Sequence, residues 1–350
     1  MTEKVSLSYK GKTYEYSTIT GSENEEAFDI SCLRRETGLI TMDYGYQNTG
    51  STKSSITYVN GEQGILRYRG YSIEDLAEKA TFPETAWLLI YGELPTEEEL
   101  TVFRRLLTEN SLVHANLLHF FREVPPSAHP MGILSSVVNA LGLFAPKYYD
   151  AETDASELEL MITALISKIR TIAAFSYKAS IGEPFVYPEA NRSYCANFLN
   201  MMFSSHTKPY VVNPIMEKVL NTLLIIHADH EQNCSTSTVR MVGSSQANLY
   251  ASVCAGICAL WGPLHGGANQ AVLETLIRVQ KSGMTIKEVL EKAKSKEDPF
   301  KLSGFGHRVY KSYDPRAKIL KGLMEKLFNE EDSQDPLIDI ARELEHQALQ

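Results

Sequence analysis

Polar and apolar positions alternate at the front of the chain and then change period. In VSLSY, Val5, Leu7 and Tyr9 alternate with Ser6 and Ser8, a Lys-Gly-Lys turn follows, and TYEY alternates again, which predicts a β-hairpin. ITYVNGEQGILRYRG sets the turn dipeptide Asn60-Gly61 between two β-rich arms. From there the apolar spacing becomes helical. Ser72 with Asp75 has the form of an N-cap, followed by Ile73, Leu76, Ala77 and Ala80 on one face. Thr96 with Glu99 forms a capping box, with Leu100, Phe103 and Leu107 as the stripe behind it. Later segments repeat helical patterns between Pro- or Gly-marked loops such as VPPSAHP and IGEPFVYP, and no internal repeat stands out. The pattern predicts a mainly α, multi-helical protein with a small N-terminal β region. At the far end, Asp335 can cap and Pro336 can open a helix whose apolar face is Leu337, Ile340, Ala341, Leu344 and Ala348. That pattern runs to the last residues without a Gly or Pro stop, which leads us to expect further chain beyond it.

Composition narrows the partners. A net charge of −9 and the lack of a run of five basic residues argue against nucleic acid and against an anionic membrane surface. No apolar run reaches the roughly 18 residues of a membrane span. Cys32, Cys195, Cys234, Cys254 and Cys258 show neither CxxC pairs nor zinc spacing, and we expect a reducing cytoplasm, with Cys254 and Cys258 packed in the core.

Three polar clusters carry the candidate chemistry. LLIIHADHEQNCSTSTVR holds His227 and His230 with Asp229, Glu231 and Arg240; GPLHGGAN holds His265; GFGHRVYKSYDPRA holds His307, Arg308, Lys311 and Arg316. Each has a plain alternative: a hydrogen-bonded pair at a helix end, a helix-start histidine, a solvated basic face. His227 and His230 could also share a helix face as metal ligands. No phosphate loop and no GxSxG elbow occurs. Together the clusters suit a polycarboxylate whose carbonyl is polarised by neutral imidazoles and cations. His265 beside a helix start is expected to stay neutral and donate to an enol oxygen, with its flanking glycines leaving room for a reacting group.

HADHEQN with STSTVR, LWGP with HGGAN, and GFGHRVYK with YDPRA, in this order, closely resemble citrate synthase of the bacterial type with an N-terminal β region. MDYGY, RYRGY, YKASIGEPFVYP and NFLNMMF extend the similarity over essentially the whole chain. The resemblance implies a small β region at 1–65, a large helical domain at 66–268 and a small one at 269–350. It implies condensation of acetyl-CoA with oxaloacetate to citrate and CoA, without metal or other cofactor, in a homodimer or homohexamer. His265 matches the neutral histidine that stabilises the enol of acetyl-CoA, and His307 the one that polarises the oxaloacetate ketone. His230 and Arg316 match oxaloacetate-binding positions, with His227 beside them; Gly304 and Lys311 match CoA-binding positions. The family takes the methyl proton with an aspartate in an N-V-D-F-Y-S-G-like motif that these 350 residues lack, and Asp229, Asp314 and Asp335 sit in unrelated contexts. LTENSLVH and TALISK keep only Lys168 of the basic patch of NADH-inhibited relatives. Two alternatives share the motifs: a 2-methylcitrate synthase using propionyl-CoA, and a non-catalytic chain binding acyl-CoA or dicarboxylate.

Overall fold

A computed structural model describes residues 3–46, 48–144, 154–295, 300, 302–304, 310–311, 313–331 and 335–348, the side chains of 328–331 excepted. The chain divides into two compact units, Met1–Ser55 and Ile56–Gln350. The first holds the antiparallel sheet β1 (Lys4–Tyr9), β2 (Lys12–Thr20) and β3 (Glu26–Phe28), then the short helix α1 (Leu33–Thr37). The turn predicted at Lys10-Gly11 closes β1 on β2 with Tyr9 opposite Lys12, and both turn residues have positive φ, 49° and 75°. That is the handed turn whose twist matches a two-stranded ribbon.

The second unit opens with β4 (Thr57–Asn60), β5 (Ile65–Tyr68) and β6 (Tyr71–Ser72). This hairpin was grouped by sequence with the first 65 residues, yet it packs with the helices: Leu66 and Tyr68 join Ile73, Leu76, Leu88, Ile225 and Ile226 in one core cluster. Its turn is wider than an Asn-Gly pair. Asn60 lies opposite Ile65, its side chain accepts from the amides of Glu62 and Gln63, and the positive φ falls on Gly64.

The helices among the described residues then run α2 (Ile73–Lys79), α3 (Phe82–Tyr91), α4 (Glu97–Glu109), α5 (Leu117–Glu123), α6 (Pro130–Leu143), α7 (Ala155–Ser180), α8 (Tyr194–Phe203), α9 (Pro214–Ile226), α10 (Cys234–Gly243), α11 (Leu249–Leu260), α12 (Gly267–Ser282), α13 (Ile286–Lys294), α14 (Pro315–Glu331) and α15 (Pro336–Ala348). Ser72 and Thr96 cap as predicted, and Asp335 accepts from the Leu337 amide. The α4 stripe buries Phe103 and Leu107 against Ala86 of α3. The long α7 carries Ile172 and Phe175, both fully buried, into the largest cluster, with Phe121, Val137, Val138 and Ile257 from α5, α6 and α11. A separate cluster of Leu276, Val279, Val289 and Leu344 joins α12, α13 and α15. The expectation for the α11 thiols fails at one position. Cys254 is half-buried against the main cluster and donates to Ser135 O, but Cys258, one turn on, is exposed. No described helix is long and apolar enough to cross a membrane.

The capping box gives a direct test of local structure. Thr96 Oγ1 accepts from Glu99 N at 3.3 Å while Glu99 Oε2 accepts from Thr96 N at 2.8 Å. Thr96→Ala should cost about 1 kcal/mol, read as a lower urea midpoint at unchanged slope. An unchanged midpoint would show that α4 is held by packing alone.

Candidate active site

α9 starts from the Asn213 cap with Pro214 in its first turn, buries Ile225 and Ile226 completely, and stops there. His227 and His230 therefore lie beyond the helix, not on a shared helical face. His227 closes the last turn: its ring Nδ1 donates to Leu223 O at 2.8 Å, and the residue is exposed. His230 turns the other way, its Nε2 3.2 Å from Tyr310 Oη, with the two rings edge to face at 5.7 Å. Among the described residues no group of three or more His, Cys, Asp or Glu is placed to hold a metal ion.

The turn that carries His230 is splinted by the β4–β5 hairpin. Fully buried Tyr68 donates from Oη to Asp229 O at 2.8 Å, lies 3.2 Å from Ile225 O, and accepts from Asp229 N at 3.3 Å. Thr57 Oγ1 donates to the Asp229 carboxylate, and Glu231, held at φ 56°, accepts from Val59 N at 3.1 Å. Burial raises Asp229 above the usual carboxylate range, against the Thr57 and Glu231 hydrogen bonds. Burial likewise pushes Tyr310 up to about 12, so its hydroxyl keeps its proton beside His230.

Arg316, in the first turn of α14, brings a cation to the same corner, its guanidinium carbon 5.9 Å from the Tyr310 ring centroid. Asp314 grips it through Nε at 3.0 Å and Nη2 at 2.7 Å. Burial works against the Arg316 charge, but the Asp314 carboxylate outweighs it and the pKa is raised.

His265 arrives from another direction. α10 and α11 are antiparallel neighbours at close approach: a Cβ on Gly256 would lie 2.4 Å from Val239 Cγ2, and Ser235 Oγ donates to Gly256 O. The turn after α11 therefore ends beside the start of α10. There His265 Nε2 accepts from Ser235 N at 3.4 Å. Ser235 is the second residue of α10, behind the Asn233 cap, so a helix N-terminus faces the ring and opposes a proton on Nε2. Burial also lowers the His265 pKa. The neutral ring keeps its proton on Nδ1 as a donor. Sequence reasoning expected this neutrality from the helix that follows His265; the amide comes instead from α10.

The flanking glycines have a different cause from the one expected. A Cβ on Gly266 would sit 2.7 Å from Leu260 O, and one on Gly267 would sit 2.9 Å from Gly262 O. The space they leave is filled by the chain's own α11–α12 turn rather than by a reacting group.

The remaining sequence candidates lie as follows. Gly304, at φ 96°, would place a Cβ 3.1 Å from Val272 of α12. Lys311 donates its amide to Gly61 O and pairs through Nζ with Glu62 at 2.9 Å, both groups well exposed. His307 falls outside the described residues. Tyr310 stands inside the quoted GFGHRVYK segment but was not singled out. Tyr68 and Ser235 were missed because nothing local marks a tyrosine or an amide as a partner of a distant histidine.

Fold and site define a mainly helical enzyme with a neutral imidazole donor at His265 and a histidine–tyrosine–arginine corner suited to a carboxylate ligand. Residues 45–350 match the family described as "Citrate synthase, C-terminal domain". Citrate synthase 1 of Mycobacterium tuberculosis is 48% identical over 99% of this chain and 80% of its own length. Among solved structures, the chain is similar to citrate synthase from Pyrobaculum aerophilum (34% identity, TM-score 0.77, covering 99% of this chain and 81% of that one). It is also similar to the citrate synthase of Thermoplasma acidophilum, solved as a ternary complex with carboxymethyl coenzyme A and oxaloacetate (28%, TM-score 0.79, 88% and 79%). The chain belongs to the citrate synthase family, and it is an acyltransferase.

Proposed function

We propose that this chain condenses acetyl-CoA with oxaloacetate and water, releasing citrate and CoA, with the roles below assigned to its own residues. The observation that carries the reading is the Ser235 amide on His265 Nε2, because it leaves a neutral Nδ1–H donor. A carboxylate base removes a methyl proton from the acyl group as His265 hydrogen-bonds the thioester oxygen, giving the enol. Such a donor lowers the barrier because it is stronger toward the developing negative oxygen than toward the ground-state carbonyl. The enol carbon then attacks the oxaloacetate ketone, and the proton that the new alkoxide takes comes from His307, by family resemblance. Water cleaves the resulting thioester and CoA leaves as the thiol. His230 and the Arg316 guanidinium hold oxaloacetate carboxylates, with His227 at the margin and Gly304 and Lys311 on the CoA side. Asp229, Asp314 and Asp335 are engaged by Thr57, Arg316 and the start of α15, so the base is not assigned to them.

The same reading places a large helical domain at 66–268 and a small one at 269–350, the latter with the core shared by α12, α13 and α15. A homodimer or homohexamer goes with it. Thiol release from acetyl-CoA, dependent on oxaloacetate, tests the reaction. No release would favour the binding-only alternative, and a higher kcat/KM for propionyl-CoA would make the chain a 2-methylcitrate synthase.

A further inference from the structure

The turn that presents His265, residues 262–269, has no buried residue of its own, and Leu264 within it is 97% exposed. Its backbone bonds are local. Gly262 O accepts from His265 N at 2.9 Å and from Gly267 N at 3.2 Å, and His265 O accepts from Ala268 N at 3.1 Å. The bond from Ser235 N to the His265 ring is long, at 3.4 Å. A donor on such a surface turn keeps its aim only if something outside the turn fixes its two ends.

The start of α6 supplies that hold. His129 precedes the helix, and its ring Nδ1 accepts from Met131 N at 3.2 Å, which caps α6. A ring nitrogen that accepts from an amide carries no proton, so the neutral imidazole has its proton on Nε2. Nε2 lies 2.9 Å from Gln270 Oε1, near the start of α12, and donates to it. Glu274 sets the orientation of that amide: Gln270 Nε2 donates to Glu274 Oε1 at 2.8 Å, which turns Oε1 toward His129. The same imidazole stacks on the Trp261 indole, with centroids 4.7 Å apart and planes at 26°. Trp261 ends α11, and its ring reaches Gly132 of α6, where a Cβ would stand 3.4 Å from it. His129 thus touches the residue just before the turn and the residue just after it.

We propose that His129 is a positioning residue for His265: one neutral imidazole pins Trp261 and Gln270, the two residues that bracket the 262–269 turn, and so fixes where the His265 ring points. The consequence for catalysis rests on the function proposed above, whereas the clamp itself rests only on these contacts. A helix cap alone would need neither the indole stack nor the bond to Gln270.

His129→Asn separates the clamp from the cap. Asparagine caps helices well and can still accept from Met131 N, but it has neither the ring to stack on Trp261 nor the reach to Gln270. Two readouts are taken on the intact chain: amide hydrogen exchange of residues 262–269 by mass spectrometry, and exchange of the acetyl-CoA methyl protons with solvent. H129N should speed amide exchange in the turn about tenfold, from the loss of one hydrogen bond and one ring stack. Methyl-proton exchange should fall about 10- to 100-fold, because a small misplacement of a positioned group is costly. Melting temperature should hold, and so should oxaloacetate affinity by calorimetry, because the His230–Tyr310–Arg316 corner is untouched. Q270A removes only the Nε2 partner at an exposed position, so it should fold and show both changes at about threefold; it carries the test if H129N does not fold. Turn amides that exchange at the wild-type rate in the variants overturn the proposal and leave His129 a cap. Methyl exchange at the wild-type rate in a variant whose turn has loosened also overturns it. A wild-type chain that exchanges no methyl protons would instead overturn the proposed function, and the clamp would then be judged on amide exchange alone.

Discussion

His265→Ala is expected to lower kcat for citrate formation by about 100- to 10,000-fold, the range that follows loss of a positioned proton donor or oxyanion partner. The reason is geometric. Ser235 N occupies Nε2, so the imidazole has one proton, on Nδ1, and can offer it without first losing another. Burial lowers the pKa of the ring and supports the same neutral form. Alanine removes that donor but touches neither His230 nor Arg316, so oxaloacetate binding should change little. Exchange of the acyl methyl protons with solvent is the sharper readout, because it reports enol formation without the condensation. A variant that still exchanges those protons at the normal rate, or that loses oxaloacetate binding, would show that His265 has been given the wrong role.

The second large effect is expected at Arg316. Arg316→Gln should raise the oxaloacetate KM by about 10- to 100-fold, the worth of one charge-assisted carboxylate contact. It should change kcat less, because a grip on a remote carboxylate acts on ground state and transition state alike. The substitution also leaves the largely buried Asp314 without its ion pair, so a lower melting temperature is expected beside the kinetic change. Kinetics and stability separate the two roles. A lower melting temperature with unchanged KM would reduce Arg316 to a structural partner of Asp314.

Sequence reasoning went far where the physics is local. The Lys10-Gly11 turn, the Ser72 and Thr96 caps and the α4 stripe of Phe103 and Leu107 were all readable, because caps and periodicity act within three or four residues. It went wrong where a local signal had a distant cause. Gly266 and Gly267 flank the catalytic candidate, yet their missing Cβ atoms are explained by carbonyls of the α11–α12 turn. Cys258 shares an apolar run with Cys254, but only Cys254 packs against the main cluster and Cys258 is exposed. His227 and His230 are spaced as helical neighbours, but α9 ends at Ile226 and the spacing loses its meaning.

The sequence by itself determined the helical architecture, the kinds of groups available for chemistry, and through its motifs the family. The tertiary structure alone decided how those groups are held. His265 meets an amide 30 residues away, His230 meets a tyrosine 80 residues away, and the turn between the histidines is splinted by Thr57 and Tyr68 from more than 150 residues away. Helical period and capping are set by backbone neighbours, which a linear reading samples directly. Protonation state and ring orientation are set by whichever dipole and hydrogen-bond partner packing delivers, and that delivery depends on how the helices close against one another.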